Sequence, residues 1–102
     1  MKKGTFYVRK KLDEIKKVKG FLFGLDGLSF GCYCIARKNR EGVELSTGLR
    51  CTQVSCDSKE AVKKEVERLY DEILALLKTK CILKQIEIFT TQISEIEKQK
   101  NN

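Results

Sequence analysis

The spacing of hydrophobic and polar positions changes period along the chain. Between Gly20 and Thr47 the apolar residues fall in short dense runs, Phe21-Leu22-Phe23, Phe30 to Ala36 and Val43 to Thr47, with turn residues between them. Runs of this length bounded by Gly, Asn and Asp predict strands. Asp26-Gly27 stands between the first two runs, and Asp-Gly between apolar segments is the strongest short hairpin signal. Arg37-Lys38-Asn39-Arg40-Glu41-Gly42 supplies a second, polar turn. A three-stranded meander follows, and Gly48 to Cys56 either adds a short further strand or carries the chain onward.

After Asp57 the period lengthens. Ala61, Val62, Val66, Leu69, Tyr70, Ile73, Leu74 and Leu77 mark one stripe at helical spacing, with Asp57 as N-cap and Glu60 as its capping-box partner. A helix is expected over Ser58–Lys78. Ile82, Ile86, Phe89, Ile93 and Ile96 then repeat at spacings of four and three, with a phase slip that predicts a break near Lys78 to Cys81. A second amphipathic helix fits this repeat. The alternation Ile86-Glu87-Ile88 and the pair Thr90-Thr91 keep an edge strand over 81–90 as the other reading. Lys98–Asn102 is expected to fray. At the start of the chain, Thr5 to Arg9 has strand character, whereas Val8, Leu12, Ile15 and Val18 follow helical spacing. Residues 5–18 are therefore read as a strand or arm entering a helical turn.

These elements describe one domain over residues 1–102 of α+β class, a small three- to four-stranded antiparallel sheet covered by one or two amphipathic helices. No apolar run approaches the roughly 18 to 20 residues that span a bilayer, and the N-terminus has no apolar segment of the secretory kind. No membrane contact and a cytoplasmic setting are expected. Five cysteines, an odd number, fit reduced thiols. Cys32-x-Cys34 and Cys51-x4-Cys56 lack zinc-knuckle spacing and the chain has no histidine, so buried or half-buried thiols are favoured over a metal site.

Charge sharpens the picture. Of the net +7, residues 1–19 hold eight basic groups against two acidic ones, a balance of +6, whereas residues 20–57 are neutral and residues 58–102 contribute +1. A basic N-terminal arm over 1–19 on a near-neutral body is a pattern that engages nucleic acid phosphates. Without histidine there is no His-based catalytic constellation, and no phosphate-binding glycine loop follows a strand. Neither an enzyme nor a cofactor or metal is expected.

The candidate phosphate contacts are Lys2, Lys3, Arg9, Lys10, Lys11, Lys16 and Lys17 in the arm, Arg37, Lys38 and Arg40 at the second turn, and Lys59, Lys63 and Lys64 at the helix start. A helix N-terminus adds unpaired amides and partial positive charge, and Lys59 and Lys63 lie on one side of it. Phe6, Tyr7 and Tyr33 would add base stacking where exposed. The order of a basic start, three strands and then "SKEAVKKEVERL" resembles the β-β-β-α DNA-binding domains at the N-termini of phage and transposon integrases, and "CDSKEAVKKEV" resembles the second helix of double-stranded RNA-binding domains. Over residues 20–78, either resemblance implies DNA or RNA as the partner, with Lys59, Lys63 and Lys64 in phosphate contact. The alternative is a phage- or mobile-element-type regulator that binds a host protein complex, or dimerises, through Ile82, Ile86, Phe89, Ile93 and Ile96.

Overall fold

The computed structural model describes residues 1–11, 14–53 and 56–100. Five strands, β1 (Lys2–Lys11), β2 (Glu14–Leu25), β3 (Leu28–Ala36), β4 (Asn39–Glu44) and β5 (Leu49–Arg50), precede three helices, α1 (Lys59–Arg68), α2 (Tyr70–Leu77) and α3 (Lys80–Lys100). The class is α+β. The strands form one antiparallel sheet in chain order, β1-β2-β3-β4-β5. Asp26 and Gly27 take φ values of 49° and 87°, the left-handed pair that suits a two-residue turn to the twist of the flanking strands. The second turn is tighter than the polar run suggested: Arg37-Lys38 makes it, with Lys38 at φ 57°, and Asn39 to Gly42 already belong to β4.

Residues 2–11 and 14–19 are built into this sheet rather than forming a separate arm. β1 pairs with β2 from Lys2–Leu22 to Lys11–Glu14, so strand character prevails over the helical spacing that began at Val8; Leu12 lies outside the described residues. The reason is burial. Phe6 and Val8 pack with Tyr33 and Val43 inside the curl of the sheet, where Val18, Leu22 and Leu45 surround them. A hairpin with alternating apolar residues gains this core only as strands, and each full burial of such a side chain is worth about 1.5–3 kcal/mol. Gly31 sits under the Phe6 ring, whose carbons would lie 2.6–2.8 Å from any Cβ there.

The opposite face carries the helices. Cross-strand pairing puts Phe21, Phe23, Phe30 and Cys32 on one side of the sheet, and Phe30 and Cys32 join Val62, Val66, Leu69 and Ile73 in a second core beneath α1 and α2. Where the sequence suggested one helix from Ser58, there are two, because Leu69 leaves helical geometry (ψ 4°) while burying its side chain in this core. The cap also moves by one residue: the Ser58 hydroxyl, not Asp57, accepts from the Ala61 N–H at 3.1 Å. The expected break falls at Lys78–Thr79. Residues 81–90 are helical, which sets aside the edge strand, and α3 keeps Lys98 to Lys100 in helix where fraying was expected; residues 101 and 102 lie outside the described residues.

The curl closes at the β4–β5 turn. The Arg9 N–H donates to the Gly48 carbonyl at 2.8 Å, joining the first strand to the end of the fourth. The strand expected to continue to Thr47 stops at Glu44, whose buried carboxylate accepts from the Ser46 and Thr47 N–H groups (2.9 and 3.0 Å) and from both hydroxyls. Four donors offset the cost of burying that charge and hold the turn. Gly48 (φ 69°) then meets the Phe89 ring of α3, within 2.3 Å of where a Cβ would stand.

Gly48→Ala is expected to destabilise the fold by about 2–4 kcal/mol through backbone strain and overpacking, and Phe89→Ala by about 3–5 kcal/mol. The double variant should lose at least about 1 kcal/mol less than the sum, because the vacated ring space accepts the new methyl. Urea unfolding of the four proteins measures this cycle.

Candidate nucleic-acid interface

Six lysines of the β1–β2 hairpin, Lys2, Lys3, Lys10, Lys16, Lys17 and Lys19, have exposed side chains. The ion pairs among the described residues are Arg50–Glu41 (3.4 Å) and Arg68–Glu65, so none of these lysines is neutralised by a described carboxylate. Their charge stays available because the hairpin is rich in cations and its described residues hold only Glu14 as an anion. Lys17 Nζ lies 5.7 Å from the centre of the Tyr7 ring and Lys10 Nζ 5.5 Å from that of Tyr33, contacts that hold the ammonium groups over aromatic faces without discharging them.

On the helix-bearing face, pairing aligns Lys3 with Phe21 and Thr5 with Lys19. These residues line an open groove of about 460 Å³. Across it, the first residue of α1 reaches back to the sheet, and Lys59 Nζ lies 4.2 Å above the centre of the Phe21 ring. Phe21 is half-buried and belongs to neither hydrophobic core, unlike its neighbour Phe23. A groove lined by Lys3, Lys19 and Phe21, with Lys59 over the ring at the positive end of a helix, has the chemistry to hold phosphate and stack a planar group. Lys19 and Phe21 were missing from the residues expected at the interface. The available signal was their alternation, which puts residues 17, 19 and 21 on one face of a strand.

The other expected contacts divide. Lys63 is exposed one turn along α1, whereas Lys64 lines a separate groove with Lys38 and Arg68, where Asp57 and Glu65 temper the positive charge. Arg37 and Lys38 are exposed at the β3–β4 turn; Arg40 is half-buried, with its main chain bonded to Cys56 at 2.7 and 3.2 Å. Lys11 is the last residue of β1. Arg9 is spent internally: its guanidinium donates to Gln85 and Gln92 of α3 and lies 5.2 Å from the centre of the Phe89 ring. Phe6 and Tyr33, expected to stack bases where exposed, are both buried, and the Tyr33 hydroxyl donates to Glu41. Burial, then the bond to Glu41, holds that phenol above its ordinary value. Tyr7 keeps part of its ring accessible, its hydroxyl donating to Glu97 at 3.4 Å.

The apolar face of α3 is turned inward. Phe89 is buried on Gly48, and Ile82, Ile86, Ile93 and Ile96 are half-buried along the same side of the helix. Ile82 shares a pocket with Leu49 of β5 and Ile96 one with Ile15 of β2, while all four isoleucines keep part of their surface accessible. Among the described residues, Leu76 and Leu83 are the large apolar residues most open to solvent, and they lie off that stripe. No described helix is long and apolar enough to cross a membrane.

The cysteines divide by burial. Cys34 and Cys81 are exposed, while Cys32 and Cys56 lie in the core under α1. Burial, with Glu44 adding to it, pushes the Cys51 thiol up to about 12. Such a thiol is a poor nucleophile at neutral pH. Among the described residues, no three His, Cys, Asp or Glu side chains are grouped to hold a metal ion. Comparison with protein-family models, with characterised proteins and with solved structures finds no match.

Arg9→Ala is expected to cost about 1–3 kcal/mol in urea unfolding, and Arg9→Lys should recover little of it, since an ammonium cannot serve both glutamines and the ring. For Cys51 the folded value lies above the unfolded one, so its contribution is complete below about pH 9 and is lost as pH rises toward about 12. The stability advantage of the natural chain over Cys51→Ala should shrink by up to about 1.4 kcal/mol per pH unit between pH 9 and 10.5, followed by urea titrations at each pH.

Proposed function

We propose that this chain binds nucleic acid through its phosphate backbone, using the basic β1–β2 hairpin together with the N-terminus of α1. The observation that carries the reading is convergence. Lys3 and Lys19 from the hairpin line one groove with Phe21, Lys59 from α1, forty residues further along the chain than Lys19, stands over the Phe21 ring, and no carboxylate of the described residues lines the groove. A solubilising surface would disperse its lysines and interleave acids among them. Lys17 and Lys63 extend the positive track on either side, and Arg37 and Lys38 form a further cationic point at the β3–β4 turn. The resemblance of the helix start to phosphate-holding helices adds the same expectation for Lys59, Lys63 and Lys64. In this reading lysines supply charge without a base code, so affinity is salt-dependent and tolerant of sequence.

The intact chain serves for the test, because deleting residues 1–19 removes Phe6 and Val8 from the core. Fluorescence anisotropy with single- and double-stranded DNA and RNA should show binding that falls steeply with salt. Lys3→Gln, Lys19→Gln and Lys59→Gln together should reduce the slope of log Kd against log salt by about 3, roughly one for each phosphate no longer neutralised. Absence of binding to all four oligonucleotides at about 50 mM salt, or an unchanged slope in the triple variant, overturns the proposal.

A further inference from the structure

We infer that the main-chain edge of β2 at Lys17 and Lys19 is a docking edge for an extended acidic peptide segment of a partner protein, which adds there as a strand. The ladder between β2 and β3 starts at Leu25–Leu28 and ends at Phe21–Cys32, although β2 continues down to Glu14 and β3 up to Ala36. Counting outward from the two-residue turn, the hydrogen-bonding pairs are Leu25–Leu28, Phe23–Phe30 and Phe21–Cys32. Lys19 with Cys34 would be the next, and the strands have parted before it. The far side of β2 is taken by β1 and that of β3 by β4. The N–H and C=O groups of Lys17 and Lys19 therefore point into a cleft of about 310 Å³ between the hairpin and the end of β3.

Two features select the occupant. A strand edge offers donors and acceptors in alternation, which a peptide backbone matches and a phosphodiester, with acceptors alone, does not. Lys10, Lys16, Lys17 and Lys19 are the charged residues that line the cleft, with no carboxylate among its described residues, and Ile35, 46% exposed, stands on the opposite wall. Acidic residues on the incoming strand would meet lysines, and an apolar residue would meet Ile35. A second copy of this chain is disfavoured, since pairing the same edges would set these lysines against each other. The inference goes beyond nucleic-acid binding and rests on main-chain geometry.

The test uses the full chain, ¹⁵N-labelled, and an acetylated, amidated hexapeptide alternating glutamate and valine. The expected result is saturable binding with the Lys17 and Lys19 amides shifted and protected from exchange. N-methylation of alternate peptide residues, in the register that faces the edge, should weaken binding at least about tenfold, as should the Lys17→Glu, Lys19→Glu double variant. Equal binding of the methylated and unmethylated peptides shows charge attraction only and overturns the inference. So does absence of peptide binding, whether or not an oligonucleotide titrated in parallel binds. Oligonucleotide binding without peptide binding removes the docking edge and leaves the nucleic-acid reading standing.

Discussion

The arrangement depends on a junction at Gly48. Its carbonyl accepts from the Arg9 N–H of β1, its own N–H donates to the Glu44 carbonyl at the end of β4, and the Phe89 ring of α3 lies where a side chain would be. Three distant parts of the chain are held at one residue that only glycine fills, because φ is 69° and there is no room for Cβ. The buried Glu44 carboxylate shapes the turn that presents this residue. Closure there turns a flat meander into a curled sheet with an interior of its own, where Phe6, Val8, Tyr33 and Val43 find burial without a helix above them.

That closure also sets the chemistry of the surface. By drawing β1 toward the β4–β5 turn, it gives α3, through Phe89, a seat on Arg9 and Gly48, and so leaves one arginine and the isoleucine face of α3 half-buried. Among the described residues, the hairpin lysines have no such cover. Their charge stays on both faces of a two-stranded ribbon, around Phe21 and Lys59 on one side and along the parted strands on the other. A cation held over an aromatic ring keeps its full charge, so these interactions position ammonium groups without neutralising them.

Much of the architecture is legible in local pattern. The Asp26-Gly27 turn, the strands around it, the helices after Asp57 and the break near Lys78 follow from periods of two and 3.6 and from turn chemistry, which act over a few residues. Boundaries drifted where two neighbours suit the same role, as with Asp57 and Ser58 at the cap, or where the backbone departs from the regular period, as at the buried Leu69 between α1 and α2. Strand or helix for residues 5–18 was not decidable locally, since the core that favours strand is completed by Tyr33 and Val43.

Local pattern alone carries the class, the Asp26-Gly27 turn and the concentration of positive charge in the first nineteen residues, because propensity, patterning and net charge are properties of short segments. Which basic residues remain available depends on long-range packing. Arg9 and Lys17 look alike in a sequence, yet one is covered by α3 and the other faces solvent. Lys59 and Phe21 lie thirty-eight residues apart and touch only because α1 packs on the sheet. The open edge of β2 is likewise invisible to local pattern, for a strand's period says which way its side chains point but not whether a neighbour pairs with its backbone.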